Sequence, residues 1–102
     1  MKFDSSFNEA LEKRAQSVLK NPSEVTEEAI GVVTAETKEE CQGRDVKTWA
    51  VMDFAMIRLK IYLKTDLKEE DVIMLKNAKA EIARSPLIGE TKLKTNFIYG
   101  VV

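Results

Sequence analysis

Residues 49–63 read "WAVMDFAMIRLKIYL", and the placing of this run decides the fold. Only Asp53, Arg58 and Lys60 interrupt it. On a wheel of roughly 100° per residue, Lys47 and Arg58 share one narrow stripe, and Asp53, Lys60 and Lys64 share another. Two apolar faces lie between the stripes. The broader carries Trp49, Val51, Met52, Ala55, Met56, Leu59, Tyr62 and Leu63; the narrower carries Val46, Ala50, Phe54, Ile57 and Ile61. A helix on the outside of a monomer needs one such face. Two faces make this helix either the centre of its own domain or an element shared between its core and a partner.

Working outward, the neighbouring segments are also helical in pattern. Phe7, Leu11, Ala15, Val18 and Leu19 recur at helical spacing and predict a helix over about 5–20. Ser6 and Glu9 have capping-box spacing, with Asp4 as an alternative cap. Asn21-Pro22 stops that helix and can start the next, over 23–42, with Gly43 as its end. Gly31 costs this second helix about 1 kcal/mol relative to alanine, and "AIGVVTA" also suits a short buried strand; the charged flanks favour helix. The apolar helix is expected over 46–64. A fourth follows over 67–84, with Asp66 as cap and Glu69 as its partner, and with Leu67, Met74, Leu75, Ala78 and Ile82 in one stripe. The short link makes the last two helices an antiparallel hairpin. The expected fold is therefore all-α. It is a four-helix, bundle-like domain over 1–90 with a central apolar helix, followed by an extended, strand-prone arm over 91–102. That arm holds Phe97, Ile98, Tyr99, Val101 and Val102. It must pair with another chain, lie along the helices, or fray.

The residue inventory offers little chemistry. The chain has 102 residues, a net charge of -1, no histidine and one cysteine. No global field draws it to nucleic acid or anionic lipid, and no internal disulfide can form. The commonest general base and metal ligand is missing. Cys41 has acidic neighbours in Glu39 and Glu40, which oppose a reactive thiolate. Glu27-Glu28, Glu39-Glu40 and Glu69-Glu70 are adjacent on helices and do not face one another, so none makes an acid/base pair. Glycine-rich phosphate loops and zinc spacings are missing too. We therefore expect no enzyme activity, cofactor or small-molecule substrate. The start of the chain lacks a signal-peptide core, and no uncharged run suits a membrane span. Asp53, the one carboxylate inside the apolar helix, is expected to form a structural ion pair, with Lys60 or Lys64 on its own stripe or with an arginine from a partner, Lys60 being the first choice. Charge also separates by element. Glu24, Glu27, Glu28, Glu36, Lys38, Glu39 and Glu40 give the second helix -5, and Lys47, Asp53, Arg58, Lys60 and Lys64 give the third +3. Between copies, such a separation favours head-to-tail contact.

"ETKEECQGRDVKTWAVMDFAMIRLKIYL" followed by "LKEEDVIMLKNAKAEIARSPLI" resembles the small helical head-tail connector proteins of tailed phages and prophages. There an amphipathic helix passes through a Gly/Arg-containing turn into a long apolar helix, and charged residues open a last helix before an extended tail. "AMIRLKIYL" at 55–63 is similar to that family's apolar helix. The resemblance spans about residues 24 to 90 and implies a structural virion protein. Copies would form a ring beneath the portal, with the portal and other head-tail proteins as partners. Such a protein would sit in the host cytoplasm during assembly and then in the virion. In such a ring Trp49, Met52, Met56, Tyr62 and Leu63 would pack between subunits, and Phe97, Ile98 and Tyr99 would join a neighbouring chain. Two other readings compete: a small regulatory protein binding a cellular protein partner, and a helical DNA-binding regulator.

Overall fold

The computed structural model describes residues 3, 5–19 and 21–88. These residues form an all-α fold of four helices: α1 (Ser5–Val18), α2 (Glu27–Glu40), α3 (Thr48–Tyr62) and α4 (Glu69–Arg84). A single 3-10 turn, Pro22–Glu24, lies between α1 and α2. The predicted arm over 91–102 lies outside the described residues.

α1 docks through Phe7, Leu11 and Ala15, spaced one turn apart and all buried. It begins at Ser5, so Ser6 lies in the first turn and does not cap it. α2 starts later than the sequence pattern suggests. Asn21 makes no side-chain cap, and the chain leaves the 3-10 turn at Val25, whose side chain enters the core. The cap is Thr26, whose Oγ1 accepts the Ala29 N–H at 3.1 Å. Val25 and Ile30 flank this cap at hydrophobic-staple spacing, and both belong to the core. The helix runs unbroken through Gly31, as its charged flanks favour, and ends before Gly43. Gly43 has φ +75°, a left-handed conformation that glycine adopts without steric cost.

α3 also starts later than expected, at Thr48. The reason is a pairing invisible to local pattern. Residues 43–45 lie antiparallel to 86–88 around a bridge between Arg44 and Leu87. Asp45 N–H donates to Pro86 O at 2.8 Å, and Ile88 N–H donates to Gly43 O at 2.7 Å. The Asp45 N–H is thereby committed to Pro86, and the chain stays extended to Lys47, the residue that precedes the first helical turn. The Arg44 guanidinium adds bonds to the Ala83 and Ser85 carbonyls at 3.1 and 2.9 Å, serving the open end of α4.

The α3–α4 turn is a Schellman motif. Lys64 N–H donates to Ile61 O and Thr65 N–H to Lys60 O. Lys64 holds the left-handed position, with φ 58°, where glycine is the usual residue. α4 opens at Glu69, so Asp66 is not its cap. Asp71, at the third helical position, accepts the Lys68 backbone N–H at 2.9 Å, which is the part expected of Glu69. Leu67 precedes the helix and is partly exposed, leaving Leu75, Ala78 and Ile82 to carry the α4 stripe.

α3 is the hub: it packs against α1, α2 and α4. Val51, Met56, Ile57 and Leu59 are fully buried, and so are Ala50 and Ala55. Along the middle of the helix both apolar faces are therefore covered by the chain's own elements. Of the two roles left open for α3, the central helix is the one its middle fills.

Candidate functional site

Three polar clamps tie α3 to its neighbours, one for each. Arg14 of α1 reaches Asp53 at 2.8 Å, Glu36 of α2 reaches Arg58 at 3.1 Å, and Asp71 of α4 reaches Lys60 at 2.9 Å. The expected Asp53–Lys60 pair is therefore corrected. Seven residues along a helix is two turns, about 10 Å, so the two share a stripe without touching. Each instead takes an opposite charge from another helix. The first two clamps are half-exposed and contribute at most about 1 kcal/mol each. The third is different, because Lys60 and Asp71 are both largely buried. Burial pushes the Asp71 carboxyl up. The hydrogen bond from Lys60, the Lys68 backbone N–H and the charges of both lysines outweigh it, so the group sits below the usual carboxylate range.

Cys41 is buried at the end of α2; burial first, and the Glu40 charge second, push its thiol pKa up. Among the described residues, no three His, Cys, Asp or Glu side chains are placed to hold a metal ion. No described helix is long and apolar enough to cross a membrane. The concavities are shallow. One, of about 300 Å³, lies between Glu36, Glu39, Glu40 and Lys79 over Phe54 and Leu75. A more apolar cleft, of about 200 Å³, lies at the end of α2.

What stands out on the surface is apolar. Trp49, in the first turn of α3, is 45% exposed; Ile61 and Tyr62, in its last turn, are 38% and 42% exposed. Twelve residues of helix separate these two places by about 18 Å. Around the second lie Leu67, Val72 and Ile73 at the start of α4, the last two more than half exposed. Trp49 and Tyr62 of the predicted interface set are thus on the surface. Met52 and Leu63 are half-buried and pack against the core. Met56 is corrected: at 2% exposure it is a core residue, because α3 meets its own helices there. Phe97, Ile98 and Tyr99 lie outside the described residues. Sequence patterning missed the exposure of Ile61, which shares a face with buried residues, and that of Ile88, which follows the Arg44–Leu87 bridge. Ile73 was legible, since it points away from the α4 stripe. No protein family, curated protein or solved structure matches this chain.

Proposed function

We propose that this chain is a structural assembly protein, a phage or prophage head-tail connector subunit. It forms a ring below the portal through apolar helix ends and an extended C-terminal arm. The observation that carries the reading is the placing of exposed apolar side chains at opposite ends of α3, Trp49 at one and Ile61 with Tyr62 at the other. Two different patches on one rigid helix suit a heterologous contact, in which one end of a copy meets the other end of the next. Contacts of that kind close into rings when the rotation allows.

The test is the mass of the purified protein by light scattering, alone and with its portal partner. Discrete oligomers are expected, and truncation before residue 95 should weaken them. A protein that stays monomeric at high concentration in both settings is not a ring subunit. Assembly unchanged by the truncation would remove the arm from the mechanism.

A further inference from the structure

Two places in this chain break a local rule with no compensating gain inside one copy. At the end of α2, Glu39 and Glu40 occupy the last turn, where the carbonyl end of the helix disfavours anions. Glu40 also stands one turn beyond Glu36, a like-charge spacing that weakens a helix. Both are exposed, and neither joins an ion pair among the described residues. At the α3–α4 turn, Lys64 takes a left-handed position, φ 58°, where glycine is the usual residue. Its charge suits the end of α3, but a lysine elsewhere in that turn gives the same benefit without the backbone cost. Lys64 too is exposed and joins no ion pair among the described residues.

Glu39 and Glu40 stand on the wall of the 300 Å³ concavity, whose floor is Phe54 and Leu75. The charges lining it do not cancel. Glu36 holds Arg58, and Lys79 on the α4 wall is the one other cation against Glu39 and Glu40, so one negative charge is left over. Arg44, in the adjoining concavity, is already bonded to the Ala83 and Ser85 carbonyls.

We infer that the α3–α4 turn of a second copy docks at this concavity, with its Lys64 ammonium against Glu39 and Glu40. The inference rests on the ring-assembly reading and names the contact within it. Charge selects the occupant: a surplus anion at one place and an unpaired cation at the other, each held where it weakens its own copy. Apolar side chains accompany the lysine, since Ile61, Tyr62 and Leu67 are exposed around the same turn. One copy does not satisfy itself, because Phe54 and Lys64 lie about 15 Å apart along the line of α3. The contact therefore runs head to tail, and each copy both gives a turn and receives one.

Lys64→Gly separates assembly from folding. It should raise the melting temperature of the helices, by relieving the backbone, and raise the dissociation constant of the oligomer about fivefold. Glu39→Lys with Glu40→Lys should weaken assembly likewise, and adding Lys64→Glu to that chain should restore it. If oligomers persist by light scattering with the same dissociation constant in Lys64→Gly, and the triple variant restores nothing, the turn docks elsewhere and only this inference fails. If Lys64→Gly lowers the melting temperature along with assembly, the lysine serves its own copy and the inference is wrong. If the unaltered chain is monomeric throughout, the assembly reading fails and takes the inference with it.

Discussion

α1 and α4 both lean on α3, yet they are held in different ways. α1 presents Phe7, Leu11 and Ala15, all buried and all apolar. α4 buries Ala78 and Ile82 but also Asp71 and Glu81, and it leaves Val72 and Ile73 in solvent. Apolar contact scales with area and has no preferred direction, and it holds α1 at these three positions, with the part-exposed Arg14–Asp53 pair as its one clamp to α3. α4 is anchored at two charged or polar points: the Lys60–Asp71 pair at its start and the Arg44 bonds to its final carbonyls. Directional bonds fix where a helix lies without covering its surface. α4 packs on α3 more extensively than α1 does and carries directional anchors at both ends besides, while Val72 and Ile73 stay exposed at the α3–α4 end.

The largest effect that would test this contrast is at Leu11. Leu11→Ala should destabilise the whole fold by about 2–4 kcal/mol, read as one cooperative shift in urea. Loss confined to α1 would break the view of α1 as part of a common core. Asp71→Ala should cost about 2–3 kcal/mol, since it removes a helix-start acceptor and strands the Lys60 ammonium. Its mark should be loss of amide hydrogen-exchange protection in α4 ahead of α1. Replacing both partners with apolar residues, Lys60→Met with Asp71→Leu, should cost less than Asp71→Ala alone.

Acid sharpens the same point. The folded carboxyl of Asp71 titrates below the ordinary value of about 3.9 that it regains on unfolding. Between those two values the unfolded chain binds a proton that the folded chain does not, so protons favour unfolding. The contribution of this group is full above about pH 5 and declines as the pH falls through the folded pKa. Protection in α4 should therefore fade below about pH 4 before that in α1; simultaneous loss would count against a separate anchor. The smallest effects are gains. Lys64→Gly relieves the left-handed lysine at the α3–α4 turn and should add about 0.5–1 kcal/mol. Gly31→Ala should add a similar amount, because an added Cβ meets nothing within 4 Å and the position is helical.

Much of this molecule was legible from residue order. The apolar spacing in α1, the central place of the 49–63 run, Gly43 as a stop and the outward pointing of Ile73 all follow from periodicity and backbone preference, which act within a few residues. The misplaced features share a cause. The start of α3 depended on residues 86–88, the partners of Asp53 and Lys60 came from α1 and α4, and the burial of Met56 depended on which helices surround it. Each joins positions far apart in the chain.

That the chain is helical, and roughly where each helix starts and stops, is written in residue order, because a helix answers to its own side chains and caps. Which part of α3 is core and which is surface depends on the packed fold. A helix that is greasy all round carries no internal mark of where its neighbours stop, and that boundary is set by how far α1, α2 and α4 reach along it.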